Sequence, residues 1–346
     1  MGKTNILDAI YYLCLGKSFF TTSDKLVMSH GKDAFRLEAV ILNGEQKEIV
    51  SIKSITGKNK EIIISGKKMN RISDHVGKFP CVMIAPSDIQ YLLAGSEERR
   101  NFINNTIVQY DPVYLDHLLI YNRLLKQRNA LLKNMAERRI FDPIMLESIT
   151  LGMVNPAAYI YNARKLLEDK ISDIFSSIYA SISGSREQCK VRYESQLASD
   201  NFQNLQRISQ EKDRITGRTS QGIHKDDLMF YMNDHPLKDF ASQGQLKSFV
   251  LALKLTQYTI LESIKQVKPV LLLDDIFDKL DPQRVTHLLH LVLNKDFGQE
   301  FISDTQAARI ETILNQLGAE HYIFHVENGK TKAYEHSETI QKTVLN

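Results

Sequence analysis

The chain opens on Gly2-Lys3-Thr4, three residues whose types and spacing suit phosphate chemistry. They match the last three positions of the phosphate-loop pattern G-x-x-x-x-G-K-[ST], in which glycine admits the phosphate and lysine carries the counter-charge. Only Met1 stands before them, so the first glycine and three of the four spacer residues of the pattern are absent. The match is therefore either an accident or the second half of a phosphate loop, and the rest of the sequence has to decide.

A pair of acids is the second candidate, because Asp274-Asp275 directly follows the apolar run VLLL. Such a run predicts a central strand of a parallel sheet, and ligands of open α/β sheets bind beyond the carboxyl ends of the strands. One carboxylate can then hold Mg²⁺ through its water shell, while the other orients an attacking water. Two acids after a strand can equally begin an ordinary loop, so the pair alone leaves both interpretations open.

A third stretch, FASQGQLKSFVLALKL (240–255), places small and polar residues before apolar residues at helical spacing. Ser242, Gly244 and Gln245 are therefore expected at a helix N-terminus, where backbone N–H groups and the helix dipole favour an anion. The alternative is an ordinary serine cap. Farther on, QEFISDTQ predicts a strand that ends in a polar turn from Ser303 to Thr305.

The elements that must position these residues follow from the apolar periodicity. Apolar spacing after Thr4 predicts a helix that ends at Gly16, followed by strands within 35–65 and a buried strand at 81–86. The predicted hairpin region is basic, and it is either a set of solvated turns or an edge that faces nucleic-acid phosphate. Its basic residues are Lys58, Lys60, Lys67, Lys68 and Arg71.

A long helical region is predicted from about 105 to 180, where leucines and isoleucines recur at helical spacing. We expect two antiparallel helical stretches, with breaks near Asp142-Pro143 and Asn155-Pro156. A strand is predicted at 190–197, and a polar stretch follows over 198–218.

Composition limits the class of protein. The hydrophobic share of 43% and the charged share of 25% are typical of a globular protein of one or two domains. A net charge of +3 neither indicates nor excludes a nucleic-acid binder. The three cysteines form no C-x-x-C pair, which favours buried, reduced thiols in a cytoplasmic protein. The first fifteen residues lack the features of a signal peptide, no apolar run approaches a membrane span, and no membrane partner is expected.

The order of these stretches is typical of an ABC-type ATPase. The chain begins with a phosphate-loop tail, which a helical insertion follows. An S-x-G-Q helix start and a strand with paired acids come next. The last motifs are Leu280-Asp281 and a final strand with a polar end. Several stretches, spread over most of the chain, resemble the RecF family: GKTNILDAIYYLCLGKSF, ISGKKMNRISDHVGKFPCVMIAPSDIQYLLAGSEERRNFIN, GIHKDDLMF, FASQGQLK and LLLDDIFDKLD. The resemblance implies an α/β fold with an SMC-like, ABC-type ATPase head and an inserted α-helical lobe. It also implies ATP and Mg²⁺ as ligands.

The resemblance gives each matching residue a role. Lys3 would reach the β- and γ-phosphates, with Gly2 and Asn5 beside them, and Thr4 and Asp274 would hold Mg²⁺. The catalytic carboxylate would be Asp275, and a switch residue would lie at Thr305. The signature motif, which contacts the γ-phosphate bound by a partner subunit, would comprise Ser242, Gly244 and Gln245, with Asp281 at the seam of the dimer.

The same resemblance divides the chain into three segments and shows where it departs from the family. The first part of ATPase lobe I would span 1–105, helical lobe II 106–215, and the signature motif, paired acids and return to lobe I 216–346. Asp275 stands where a glutamate is usual, which predicts slow hydrolysis, and Ile223 and Lys225 replace the more usual proline and arginine. The family has a strand and a glycine-rich loop before the position of Gly2, so we expect that the chain lacks its true start and, as written, binds ATP poorly.

Several further residues have two possible interpretations. Arg99-Arg100 could begin a solvated helix, or it could contact DNA phosphate or an acid across the dimer. His224 lies beside Asp226-Asp227, where a structural or interface role is favoured over a metal site. A second pair of histidines, His287 and His290, has no third ligand nearby in the sequence, and we interpret it as ordinary.

Two functions from different classes follow. The first is an ATPase that dimerises on ATP, binds duplex or gapped DNA and acts with RecO- and RecR-type mediators in DNA repair, replication and the SOS response. DNA contact is expected through the backbone, because the aromatic residues are not interleaved with basic ones. The second is a DNA-binding or protein-interaction module that has lost its nucleotide site. A structural ATPase of the SMC type is disfavoured, because no long heptad repeat interrupts the chain.

Overall fold

The computed structural model describes residues 2–43, 46–89, 95–138, 141–184, 187–276, 297–305, 307–316, 318, 320–327 and 329–334. The helices within these ranges are α1 (Lys3–Leu15), α2 (Asp24–Val27), α3 (Ser96–Ile107), α4 (Pro112–Arg138), α5 (Pro143–Ser183), α6 (Phe202–Thr216), α7 (Leu237–Phe240), α8 (Gln243–Lys265) and α9 (Ala307–Gln316). The strands are β1 (Ala34–Asn43), β2 (Gln46–Ile55), β3 (Glu61–Ile64), β4 (Lys67–Lys68), β5 (Cys81–Ile84), β6 (Cys189–Glu194), β7 (Asp227–Met232), β8 (His235–Pro236), β9 (Val270–Asp274), β10 (Glu300–Ser303), β11 (Ile323–Glu327) and β12 (Lys330–Tyr334).

A three-stranded parallel sheet lies at the centre of the candidate site. Strand β9 lies between β5 and β10 and pairs with both in parallel, as its uninterrupted apolar sequence predicts. Four of its five residues are buried, including Asp274 at its carboxyl end. The register places Ser303 directly beside Asp274, so the two polar strand ends meet at one edge of the sheet.

Helix α1 packs between this parallel sheet and a four-stranded antiparallel sheet of order β1-β2-β3-β4. Its buried residues, among them Tyr12 and Leu15, share one apolar cluster with residues of β2, β3, β5 and β9. The helix ends as predicted at Gly16, whose left-handed φ of 70° lets its N–H reach the carbonyl of Tyr12. The first residues of the chain are thereby held rigidly against the sheet edge.

One of the five basic residues of the hairpin region, Lys60, is shielded from solvent, whereas the other four are exposed. Only 9% of the Lys60 side chain is exposed, and its Nζ donates to the carbonyl of Gly16 at 2.5 Å and pairs with Asp24 at 3.1 Å. Lys68 and Arg71 pair with acids of this chain as well. The solvated-turn interpretation is therefore wrong for Lys60, which ties β3 to the end of α1.

Two long antiparallel helices form the helical region. Contacts run in opposite directions along α4 and α5, because Tyr114 meets Arg164 whereas Arg128 meets Thr150. The predicted break at Asp142 is confirmed, since its side chain caps α5 by accepting from the N–H of Met145. The predicted break at Pro156 is wrong: the proline lies inside α5 and is buried, and tertiary packing outweighs the cost of about 3 kcal/mol that an interior proline imposes.

Helix α6 occupies most of the stretch for which the sequence indicated only polar character. Its buried positions recur at helical spacing, but three of the five are polar: Phe202, Leu205, Gln206, Ser209 and Asp213. Asp213 is buried because it pairs with Arg128 of α4 at 2.8 Å, with both side chains at most 1% exposed. An apolar pattern cannot reveal a helix whose buried face is an ion pair.

One apolar cluster extends from the parallel sheet into the helical region. It joins residues of β5 and β9 to residues of α4, α5, α8 and β7. All three cysteines are buried and free, as their spacing predicted. Among the helices in the described ranges, none is both long enough and apolar enough to cross a membrane.

Candidate functional site

The N-terminus of α1 lies at the polar edge of the parallel sheet. Gly2 caps the helix with a φ of 120°, a left-handed conformation that favours glycine, and its carbonyl accepts from the N–H of Ile6 at 3.2 Å. A Cβ at this position would meet Val326 at 3.4 Å, so the β11–β12 hairpin packs against the first turn. The helix therefore directs its N-terminal N–H groups toward the edge where the acids of β9 lie.

Thr4, Asp274 and Ser303 form the centre of the site. The Thr4 hydroxyl donates to Oδ1 of Asp274 at 3.2 Å, and the Ser303 hydroxyl donates to the same oxygen at 2.6 Å. Asp274 is 5% exposed, so its carboxylate is a buried acceptor held by two hydroxyl groups. Residues 270 positions apart in sequence thus meet as the phosphate-loop and acid-pair interpretations required.

Asp275 has a strained backbone that Ser303 holds in place. Its φ is +49°, in the left-handed region that non-glycine residues occupy at a cost of roughly 1–3 kcal/mol. Its N–H points at both the carbonyl (3.1 Å) and the hydroxyl (3.2 Å) of Ser303. The left-handed turn takes Asp275 out of the strand direction, so the two neighbouring acids face different surroundings.

The switch region reaches the same edge. The Nζ of Lys3 donates to the carbonyl of Asp304 at 2.7 Å, and the next residue, Thr305, is exposed. Asn5 is also exposed and makes no side-chain hydrogen bond within the ranges that the structure describes. The structure therefore brings together Gly2, Lys3, Thr4, Asp274, Asp275 and Thr305 at one sheet edge.

The donor set suits a hard divalent cation. A threonine hydroxyl and an aspartate carboxylate are oxygen ligands of the type that Mg²⁺ prefers, and they lie within hydrogen-bond distance of each other. Lys3 supplies a positive charge beside them for a polyphosphate. These residues fit a magnesium–nucleotide complex.

The predicted signature residues lie at the start of α8. Ser242 caps the helix: its Oγ accepts from the N–H of Gln245 at 3.3 Å, and its own N–H donates to Oε1 of Gln245 at 2.7 Å. The amide of Gln245 also donates to Glu187 at 2.7 Å. Gly244 lies in the first turn, and its carbonyl accepts from Ser248. Within the described residues, no hydrogen bond joins this group to Lys3, Thr4 or the acid pair. Asp281, His287 and His290 lie outside the described residues.

Known proteins resemble this chain over nearly its whole length. It is 40% identical over 326 residues to the DNA replication and repair protein RecF of Flavobacterium johnsoniae, which covers 94% of this chain and 91% of that protein. The protein of the same name from Cytophaga hutchinsonii is 37% identical over 331 residues, covering 96% and 88%. The chain belongs to the RecF family. No family model matches the chain.

Solved structures extend the family assignment to the fold. The recombination mediator protein RecF with ATP, in the RecFOR pathway, aligns with a TM-score of 0.84 at 25% identity, over 96% of this chain and 89% of that chain. An SMC head bound to the C-winged helix domain of ScpA aligns with a TM-score of 0.53 at 14% identity, over 96% and 86%, which is a likeness of fold alone. The predicted α/β ABC-type ATPase head is confirmed.

The GIHKDDL stretch of this RecF-family chain forms a junction with helices α3 and α5. Arg99 of α3 makes a two-pronged ion pair with Asp227, at 2.7 and 2.8 Å, and Arg100 donates to the carbonyl of Asp226 at 2.7 Å. Arg164 of α5 pairs with Asp226 at 2.6 Å and is 2% exposed. The solvated interpretation of Arg99 is therefore wrong, because its side chain is 15% exposed and pairs with an acid of its own chain. A contact with DNA phosphate or with an acid across a dimer stays a prediction.

His224 belongs to the same junction and is not a metal ligand. Its Nδ1 meets the hydroxyl of Tyr121 at 2.8 Å, and its Nε2 meets the carbonyl of Thr219 at 3.1 Å. Burial lowers the pKa of His224 to about 4, which keeps the ring neutral near pH 7. In the part of the chain that the structure describes, no group of three or more His, Cys, Asp or Glu side chains could hold a metal ion.

A buried ion pair that the sequence did not reveal joins α8 to the segment after β5. Lys254, three turns into the signature helix α8, pairs with Asp88 at 2.8 Å and donates to the carbonyl of Met83 at 3.0 Å. Its Nζ also lies 5.1 Å from the ring centre of Phe19, just after α1. A lysine inside the apolar run of a helix was the only available signal, and its partner lies more than 160 residues away.

Proposed function

We propose that this chain is a RecF-like, ATP-dependent DNA-binding protein of DNA replication and recombinational repair. The observation that carries the proposal is the meeting of Lys3, Thr4 and Asp274 at the carboxyl edge of a parallel sheet. The names of its relatives, DNA replication and repair protein RecF, and the RecF structure with ATP support the choice of process and nucleotide.

In this proposal each residue of the site does one task. Lys3 exchanges the carbonyl of Asp304 for the β- and γ-phosphates, and Gly2 and Asn5 lie beside them. Thr4 and Asp274 hold Mg²⁺, which when bound offsets the charge of the phosphates. Asp275 orients the attacking water, and Thr305 lies on the switch turn next to Asp304. Hydrolysis is slow because the aspartate side chain is shorter than a glutamate.

The signature residues act on a second copy of the chain. Ser242, Gly244 and Gln245 lie at a helix N-terminus that, within the described ranges, makes no hydrogen bond to Lys3, Thr4 or the acid pair of its own chain. An exposed N-terminus of this kind can donate to the γ-phosphate bound by the partner, so ATP closes a homodimer. Asp281 would lie at that seam. The dimer binds the backbone of duplex or gapped DNA in the cytoplasm and supports RecO- and RecR-type mediators in recombinase loading.

The test is the rate of ATP hydrolysis, with and without gapped duplex DNA. The chain is assayed as the 346-residue sequence and with residues that complete the G-x-x-x-x-G-K-T pattern before Gly2. Lys3→Ala and Asp274→Ala are expected to reduce turnover at least about a hundredfold, because Lys3 offsets the charge of the transferring phosphoryl group and Asp274 would hold the Mg²⁺ that does the same. Lys212→Ala removes an exposed lysine of α6 and serves as the control.

The outcomes separate the proposal from its alternative. The ATPase function is supported if Lys3→Ala and Asp274→Ala both abolish turnover and Lys212→Ala retains it. No turnover and no ATP-dependent dimer in either length of chain would identify a nucleotide-site-deficient DNA-binding or protein-interaction module.

A further inference from the structure

An exposed pair of stacked rings precedes the signature motif. The rings of His235 and Phe240 stack with their centres 4.4 Å apart and their planes 27° apart. Phe240 nevertheless remains 62% exposed, so the stack covers only one face of its ring. We propose that Phe240, presented by His235, is an aromatic anchor of the ATP-dependent dimer and is buried by a second copy of this chain.

The local structure holds this ring rigidly. Asn233 and Asp234 form a tight turn with φ values of 48° and 64°, and Asn233 exchanges two hydrogen bonds with Gln188 at 2.8 and 3.0 Å. The following short helix α7 is anchored by Leu237, which is 1% exposed. Phe240 is therefore an exposed apolar side chain on a fixed support, and little conformational entropy is lost when a partner covers it.

The choice of occupant follows from the distance to Ser242, and it rests on the proposed function. Two peptide units separate Phe240 from Ser242, so their Cα atoms lie within about 7 Å of each other. If Ser242 hydrogen-bonds a phosphate held by another copy, that copy approaches Ser242 to about 3 Å. Because Ser242 and Gln243 are exposed together with Phe240, the approaching surface must also cover the ring. A second copy is thus the occupant that the signature motif itself requires.

The energetic expectation is that of an interface anchor. Aromatic side chains near the centre of an interface account for a large share of binding energy, and their truncation commonly costs tenfold or more in affinity. We expect Phe240→Ser to weaken the ATP-dependent dimer at least about tenfold and Phe240→Tyr to retain it. We expect both variants to bind ATP as the wild-type monomer does, because within the described residues the helix start at Ser242 makes no hydrogen bond to Lys3, Thr4 or the acid pair.

The experiment uses the chain with the residues that complete the G-x-x-x-x-G-K-T pattern before Gly2, and it exploits the absence of tryptophan from the 346-residue sequence. Phe240→Trp places a single indole at the predicted seam, and Leu166→Trp places one at an equally exposed position (62%) on α5. Upon addition of Mg²⁺ and a slowly hydrolysed ATP analogue, the emission of the indole at position 240 shifts to shorter wavelength, whereas that of the indole at 166 does not. Sedimentation velocity then measures the dimer of the wild type, Phe240→Ser, Phe240→Tyr and the control Leu166→Ser.

Two results together support the inference. The blue shift is confined to position 240, and the dimer is weakened by Phe240→Ser but retained in Phe240→Tyr and Leu166→Ser. A wild-type dimer that Phe240→Ser leaves intact, with no shift at position 240, overturns the inference alone. A wild type that binds the analogue without dimerising overturns both the proposed dimer and this inference.

Discussion

Ser303 joins the two acids of the candidate site. Its hydroxyl donates to the carboxylate of Asp274 at 2.6 Å and accepts from the backbone N–H of Asp275 at 3.2 Å, so one small side chain holds the Asp274 carboxylate and the Asp275 backbone. Burial increases the contribution of these hydrogen bonds to stability, because a buried acceptor that loses its donor has no water to replace it. The residue therefore positions Asp274 and Asp275, the proposed metal ligand and the proposed catalytic aspartate, relative to each other.

Ser303→Ala is expected to lower the free energy of unfolding by about 1–2 kcal/mol, because Asp274 loses its shorter hydroxyl donor. ATP turnover is expected to fall at least about tenfold while ATP binding changes less, because Lys3 and Thr4 remain. Urea denaturation and steady-state kinetics measure the two effects. Ser177→Ala, whose hydroxyl bonds only the carbonyl of Ile174, is the matched control. Equal turnover in the two variants would contradict the positioning role.

His224 predicts a pH dependence of stability. Its pKa is lowered by burial to about 4 in the folded chain, against about 6.5 in the unfolded chain. Below pH 6.5 the unfolded state binds the proton and the folded state does not, so stability falls until the pH reaches about 4. From pH 7.5 to 5 this residue alone accounts for a loss of roughly 2 kcal/mol.

His224→Gln keeps a polar side chain beside Tyr121 but removes the titrating group. The variant is expected to lose less stability than the wild type between pH 7.5 and 5, as measured by urea denaturation at each pH. His235→Gln, an exposed histidine, is the control and is expected to keep the wild-type slope. An unchanged slope in His224→Gln would show that the ring binds a proton as readily in the folded chain as in the unfolded chain.

At the scale of elements, Lys254 links the signature helix to the strand and helix of the nucleotide site. The ion pair with Asp88 is buried, with each side chain 8% exposed, and Asp88 also accepts from the N–H of Ala85 at 2.8 Å. A shift of α8 along its axis would therefore pull on the segment after β5. The pair offers a direct mechanical connection between α8 and the segment after β5.

Lys254→Met is expected to destabilise the chain by about 3–5 kcal/mol, because it leaves the Asp88 carboxylate buried without a counter-charge. Asp88→Asn in the same chain removes that charge, and the double variant is expected to be more stable than Lys254→Met alone. A double-mutant cycle from chemical denaturation measures this coupling. Additive effects of the two substitutions would exclude an energetic link.

At the scale of the whole molecule, the helical hairpin and the parallel sheet contribute to one apolar cluster. Phe249 of α8 is fully buried and lies 4.8 Å from the ring of Phe175 on α5 and 5.0 Å from that of Phe230 on β7. The same apolar cluster reaches β5 and β9 of the parallel sheet. Because one apolar cluster spans the helical hairpin and the parallel sheet, the two are expected to unfold together.

Phe249→Ala is expected to cost about 3–5 kcal/mol, from lost burial and the cavity that remains. Hydrogen exchange is expected to show the same loss of protection in α5 and in β9. Leu166→Ala, 62% exposed on α5, is the control and should leave both unchanged. Loss of protection in α5 alone would mean that the lobes unfold independently.

The sequence by itself determined the elements and the chemistry wherever the signal is local. Helix α1 with its stop at Gly16, the buried strands β5 and β9, and the serine cap of α8 follow from periodicity and capping. The spacing of the motifs was also sufficient to indicate the ABC-type order, because each motif is a short run whose residues act together.

Only the tertiary structure decided what distant residues do for one another. It placed Asp213 opposite Arg128 and so made a helix of a polar stretch, and it buried Pro156 inside an unbroken α5. It paired Arg99 with Asp227 and Lys254 with Asp88. The physical reason is the same in each case: the cost of burying a charge or an interior proline is local, whereas the partner or packing that offsets it lies far away in sequence.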